Sequence, residues 1–504
     1  MPRGREPALV SEAQGAARDD QVTSILDTPQ AWSLVIRGMA LRAGGYAVGV
    51  LLAMVSGAVA LRYLGVIDAG RLITVLALTT IVGGLSDLGL SSIAVREYST
   101  LGTSQREEAM RHILGLRLSL TIVGVIAATL FAVLADYPRV MVVGTLISGT
   151  ALFLVAVHQT LTVPLSTGLR LGWVTALTLF AQLGIAIGFV GLSIVGAGLT
   201  TFYAVQVLAL IPVVVLAFLL VRGTISIRPA WKPQAWRRRM RDILPYSVAV
   251  VLYILYFRFA LIAVSLLSSE EETGYYAASF RILDVLTLVP ALLAASAFPL
   301  LARAAHDDRE RLYHAIGRLS QGMLILGAWI GVAIGLAAPL AIEIVAGPEF
   351  EPAVEPLRIQ AVALLGASLL AVWGYGLLSL ARHRAIMLAN AVSVALAATL
   401  SIALVPRYGA VGAAITLTVA ELGLAAGYGA ALARSYPGLL RRLGAAPRIL
   451  AAAGLALAVP LLLGLEGVLA VLVGTALYTL ALLAFRAIPV GLRSALLGHI
   501  GRPG

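Results

Sequence analysis

The charged residues Arg258, Arg281, Asp87, Asp284 and Glu421 lie well inside long apolar stretches of the chain. A charge held in hydrocarbon costs at least a few kcal/mol, so such residues face a partner or a water-filled cavity. A guanidinium fork matches the paired oxygens of phosphate, and two arginines at one depth are suited to holding a diphosphate. At 1.5 Å per residue, Arg258 lies about 16 Å and Arg281 about 12 Å from the nearest polar turn. The two therefore sit at similar depth in consecutive apolar stretches. Asp284 follows Arg281 by one helical turn, so a local salt bridge is the competing reading for Arg281. Arg258 has no acid near it in the sequence, which makes it the stronger candidate.

Glu421 has no charged neighbour for a dozen residues on either side. It is a candidate for proton or sodium coupling, with an interhelical hydrogen bond as the competing role. Asp87 is expected about two-thirds of the way through its apolar stretch, paired structurally with an arginine. Arg42 and Arg96 stand at the ends of apolar stretches, where they either receive an anionic headgroup or anchor the chain. His158, Gln159 and Gln182 are candidates to line a cavity. No Gly-rich loop ends in Lys and Ser or Thr, and no HExxH or loop-borne Ser-His-Asp set occurs. Catalytic residues, metal sites and cofactors are accordingly expected to be absent.

The elements that would position these residues follow from composition. Of 504 residues 60% are apolar and 12% charged, against about 45–50% and about 25% in soluble domains. A soluble enzyme, a disordered chain and a disulfide-stapled fold are excluded, the last because there is no cysteine. A bilayer-spanning helix needs about 20 apolar residues. Such stretches fall near 43–61, 72–95, 113–135, 140–166, 171–194, 198–221, 243–268, 273–301, 319–342, 357–381, 385–406, 408–432, 449–465 and 467–485. The expected fold is an all-α integral membrane protein with about fourteen transmembrane helices.

The net charge of +12 would suggest nucleic acid in a soluble protein; in a membrane protein it is read through the positive-inside rule. With the N-terminus inside, alternate segments collect 30 of the 37 basic residues and the opposite loops 5, Arg258 and Arg281 making up the rest. Both termini are thus expected in the cytoplasm. The expected organisation is a flexible cytoplasmic tail (1–35), a six-helix lobe (36–222), a basic hinge loop (223–242), a second six-helix lobe (243–434), two extra helices (435–487) and a cytoplasmic tail (488–504). No loop is large enough to house an extramembrane catalytic domain.

Two segments recur across the hinge. Ala60 to Gly70 is echoed by Leu266 to Gly274, and Val195-Gly196-Ala197-Gly198 by Gly409-Ala410-Val411-Gly412-Ala413-Ala414. Six spans separate each pair, so the two lobes are parallel repeats, an architecture in which substrate sits between lobes that rock.

Leu61-Arg62-Tyr63-Leu64-Gly65 with Gly70, Leu85-Ser86-Asp87-Leu88-Gly89-Leu90 and Val95-Arg96-Glu97 resemble the first two spans of the Wzx-type lipid-linked oligosaccharide flippases. Glu272-Thr273-Gly274-Tyr275-Tyr276-Ala277-Ala278 with Arg281-Ile282, Pro299-Leu300-Leu301, and Tyr408 to Ala414 are similar to the second-lobe signature of that family. The superfamily also includes multidrug antiporters and peptidoglycan-precursor flippases. The resemblance spans roughly 35–490 and implies a non-enzymatic carrier of the bacterial inner membrane. Its implied partners are an undecaprenyl-diphosphate-linked glycan, the lipid bilayer, and a polysaccharide polymerase and glycosyltransferases; nucleic acid is not among them. Alternatives are a multidrug cation antiporter, disfavoured by the central arginines, and a polytopic lipid-modifying enzyme, disfavoured by the short loops.

Overall fold

A computed structural model describes residues 29–487 apart from 169, 225–227, 232, 308, 437 and 439–442. The expected tail at 488–504 and most of that at 1–35 lie outside the described residues. The described residues are helical, with no strand among them. Eleven helices among the described residues are long and apolar enough to cross a membrane. A chain in hydrocarbon must satisfy its backbone polar groups internally, and helices do so within one segment.

In chain order the first half contains α1 (Pro29–Asp87), α2 (Leu90–Thr100), α3 (Thr103–Leu134), α4 (Arg139–Leu161), the short α5 (Val163–Thr167), α6 (Leu171–Ile194) and α7 (Leu199–Leu220). The second half contains α8 (Pro233–Leu267), α9 (Glu270–Asp307), α10 (Arg309–Val345), a 3-10 turn (Pro348–Ala353), α11 (Val354–Ser379) and α12 (His383–Ala433). Two further helices follow, α13 (Ala446–Leu462) and α14 (Gly467–Ala484).

Several expected boundaries move. The stretches 43–61 and 72–95 share α1, which bends at Gly65 (φ 69°), and 385–406 and 408–432 share α12, which bends at Gly409 (φ 50°). Positive φ is costly for any residue with a Cβ, so glycine makes each bend possible. At the second bend the freed Ala410 N–H donates to Glu272 Oε2 at 2.6 Å. The second stretch is itself interrupted, because Leu88 and Gly89 both have positive φ and Arg96 falls on the separate α2. The basic hinge is shorter than 223–242, since α8 begins at Pro233 and carries the arginines at 237–241 on its first turns. Helices α9 and α10, of 38 and 37 residues, outrun the roughly 20 needed to span. Arg303, Arg309, Arg311 and Arg318 therefore ride on helical extensions rather than on a loop.

The halves meet along α1, which packs on α8, α9 and α10. At the end expected to face outward the repeated glycines touch: a Cβ on Gly70 would lie 2.8 Å from the Gly274 backbone nitrogen. Beside them Arg71 makes a two-pronged bond to Glu270, Nε to Oε1 at 2.9 Å and Nη2 to Oε2 at 2.8 Å, while Nη1 reaches Asp68 at 2.9 Å. Tyr137 and Ser265 share a 2.6 Å hydrogen bond across the same seam, and Arg62 donates to the Glu343 carbonyl at 2.6 Å. Towards the other end the Ser247 hydroxyl donates to the Leu88 carbonyl. Helices α13 and α14 pack on α10 through Leu324, Val332, Ile449 and Tyr478, with the Tyr478 hydroxyl on the Ile325 carbonyl at 2.9 Å. They stand outside the seam between the halves.

Candidate functional site

A cavity of about 510 Å³ opens between the halves, walled by Ser56, Gly57, Thr80, Gln182 and Gln206 from the first and by Arg258, Arg281 and Asp284 from the second. Two more chambers join it. One of about 490 Å³ runs past Tyr46 and Thr175 between α1 and α6 and shares Arg258, Arg281 and Asp284. The other, about 420 Å³, runs into the second half past Tyr253, Phe257, Tyr375 and Tyr428 and shares Arg258 and Asp284. The three charged residues stand where the chambers converge.

Arg258 and Arg281 are brought together as the depth count expects, but their partners are exchanged. Asp284 pairs with Arg258, Nη2 to Oδ2 at 3.1 Å, so the arginine with no acid near it in sequence has one in space. Arg281 instead donates Nη2 across the seam to the Ala53 carbonyl at 2.8 Å. The reason is geometric. Gly57 leaves room for the guanidinium, since a Cβ there would lie 2.9 Å from Arg281 Nε. Phe257 and Phe280 flank Arg258, with ring centroids 5.5 and 5.1 Å from its guanidinium carbon. Aromatic faces attract a cation and hold its plane. The wall therefore presents two guanidiniums against one carboxylate.

Glu421 is buried on α12 and accepts a hydrogen bond from the Tyr256 hydroxyl at 2.5 Å. The interhelical hydrogen bond weighed from sequence is therefore present. Next to it the Tyr428 hydroxyl donates to Asn390 Oδ1 at 3.0 Å, and Asn390 Nδ2 donates to the Ala249 carbonyl at 2.7 Å. This polar cluster ties α8 to α12 behind the Tyr253 wall.

Asp87 pairs with an arginine of its own half, but at the end of α1 rather than within a span. Its partner is Arg117, Nη2 to Oδ1 at 2.7 Å, and Arg117 also bonds Ser91 Oγ at 2.6 Å and Thr160 Oγ1 at 3.1 Å. Counted by charge, Arg117 belonged to a loop; its side chain is in fact 1% exposed, inside α3. Arg96 is exposed on α2, and the Arg42 side chain lies outside the described residues. Gln182 lines the central cavity, whereas His158 and Gln159 do not. The Ala53 carbonyl and Gln206 were missed. A main-chain acceptor carries no sequence signal, and Gln206 lies in a 51-residue charge-free stretch whose polar face only packing reveals.

A profile described as "Polysaccharide biosynthesis protein" matches residues 35–305. The chain belongs to the polysaccharide biosynthesis protein family. No curated protein matches it in sequence. Among solved structures, the lipid II flippase MurJ in an inward closed conformation superposes with a TM-score of 0.72 at 13% identity, covering 89% of this chain and 99% of that one. An inward-facing multidrug resistance MATE family transporter of the MOP superfamily gives 0.60 at 13% identity, with 80% and 99% covered. A MOP superfamily transporter from Pyrococcus furiosus, described as having a binding pocket of reverse polarity, gives 0.55 at 14% identity, with 81% and 96% covered. The family member described here is a multi-pass membrane protein of the fold shared by these transporters.

Proposed function

We propose that this family member is a flippase that carries a polyprenyl-diphosphate-linked oligosaccharide from the cytoplasmic to the outer face of the bacterial inner membrane by alternating access. It is a carrier, without catalytic residues. The observation that supports this reading above others is the charge at the convergence of the chambers, where Arg258 and Arg281 outnumber Asp284. Such a site favours an anion. A site for lipophilic cations would require the opposite excess.

The bends of α1 and α12 each divide one helix into two spans. With α13 counted as a span, the total is fourteen, arranged as two parallel six-helix lobes plus two helices. Both termini are then cytoplasmic, and the Arg71–Glu270 end is outward. Arg42 and Arg96 meet the headgroup at the cytoplasmic mouth. In the cavity Asp284 is the resting counter-ion of Arg258. A diphosphate diester carries two charges, enough to displace that carboxylate and draw Arg281 from the Ala53 carbonyl. Displacement exchanges one charge-assisted pair for another, while loss of the Ala53 bond removes one tie between α9 and α1 at the cavity. Substrate binding and lobe movement are thereby linked through one guanidinium. Glu421, away from the phosphates, is suited to coupling an ion.

Depletion of the protein tests the reading. Lipid-linked glycan should accumulate on the cytoplasmic face, and Arg258→Ala should abolish export while the protein remains in the membrane. Unchanged sidedness with an altered glycan would sink the proposal.

A further inference from the structure

Away from the seam, a cavity of about 490 Å³ lies in the first half, where the ends of α2, α3, α5 and α7 meet. Its wall carries two arginines, Arg106 and Arg170, beside Tyr98, over an apolar floor of Leu165, Leu220 and Val221. Arg106 is fixed in place. Its Nε donates to the Leu101 carbonyl at 2.6 Å, and its guanidinium lies over the Tyr98 ring, 5.2 Å from the centroid. Both Nη groups therefore remain for a ligand. Arg170 is exposed. Among the described residues neither guanidinium meets a carboxylate, and no acidic side chain lines the cavity. Glu97 and Glu107 are adjacent in sequence to Tyr98 and Arg106 but do not form its wall.

We propose that this cavity is a binding site for the headgroup phosphate of an anionic phospholipid. Two unneutralised guanidiniums at one opening recognise a phosphate. The apolar floor distinguishes a lipid from a soluble phosphate. Leu165 and Val221 belong to the apolar packing of α6 and α7, and Leu220 ends the 22-residue span of α7. The cavity thus opens where the apolar span ends, at the level of lipid phosphates. A lipid seated there joins the ends of four helices of the first half. The site is separate from the interlobe cavity and does not depend on what that cavity carries.

The test uses the full chain in detergent. Native mass spectrometry after addition of phosphatidylglycerol or phosphatidylcholine should show phosphatidylglycerol retained preferentially, with a higher unfolding temperature. Arg170→Gln leaves the packed residues intact and should weaken that retention about fivefold, the factor for about 1 kcal/mol per arginine at a lipid surface. Arg106→Gln should weaken it similarly. Equal retention of the two lipids, or undiminished retention by both variants, overturns the proposal. Full displacement of phosphatidylglycerol by millimolar inorganic phosphate also overturns it, because the site would then take a soluble anion. Export by Arg170→Gln should stay normal, which separates failure here from failure of the flippase reading.

Discussion

Asp284 and Asp87 each pair with an arginine, yet the two pairs differ in how the arginine is held. Arg117 is wholly buried and bonded to Asp87, Ser91 and Thr160. Removing one member of a buried pair leaves an uncompensated charge and costs about 3–5 kcal/mol. Asp87→Ala is expected to lower the unfolding midpoint of the purified protein sharply, whereas Asp87→Ala with Arg117→Met should recover much of it. Both variants are read by thermal unfolding in detergent. Arg258 is paired with only one carboxylate, at a cavity wall, and flanked by two rings. Asp284→Asn should leave stability near that of the parent. It should raise affinity for undecaprenyl diphosphate, measured by equilibrium binding, because no carboxylate has to be displaced, while export slows through delayed release. Weaker binding by Asp284→Asn would show that the carboxylate orients Arg258 rather than competing for it.

The helices were legible in the sequence wherever apolar runs ended in charged or glycine turns. Less legible was where helices continue through a turn. Gly65 and Gly409 bend α1 and α12 without ending them, since in each helix only the one glycine leaves helical φ/ψ. The break at Leu88–Gly89 was read through although Ser86 and Asp87 precede it, because apolar residues resume with Leu90, Ile93, Ala94 and Val95. The depth of Arg258 and Arg281 could be read by counting residues along a helix. Their partners could not, because Ala53 is 228 residues from Arg281 and no local pattern encodes that approach. Gly57 makes the approach possible, which gives a prediction at this position. Gly57→Val places a branched side chain against the Arg281 guanidinium, so the Arg281–Ala53 bond should be lost while α1 stays helical. Export should fall as it does in Arg281→Ala, and combining the two substitutions should add little. A double variant much worse than either single one would mean that Gly57 serves another contact.

Rocking of two lobes requires that contacts closing one end can open, and the contacts at the Arg71 end are of that kind. Arg71–Glu270 and Tyr137–Ser265 are polar pairs; Glu270 is 43% exposed, where an ion pair contributes at most about 1 kcal/mol. The glycines Gly70 and Gly274 let the backbones touch there without interlocking side chains. By contrast, α8 and α12 are joined within the second half by the buried Tyr256–Glu421 and Asn390–Ala249 bonds and should move as one body. The seam, and not the interior of either half, is therefore where motion is expected. The absence of cysteine allows thiols to be placed at will. With Arg71→Cys and Glu270→Cys together, a short bifunctional maleimide should hold this end shut and stop glycan export, while each single variant treated alike exports normally. A second pair, Tyr256→Cys and Glu421→Cys, would disturb the polar cluster, so the control within one body is better placed on α10 and α14, at Trp329 and Thr475, whose side chains meet at 3.3 Å. Cross-linking there should leave export unchanged, because those helices keep their packing while the seam opens. Continued export with the Arg71 end fully cross-linked would exclude rocking about this seam and require a path along the outside of the lobes.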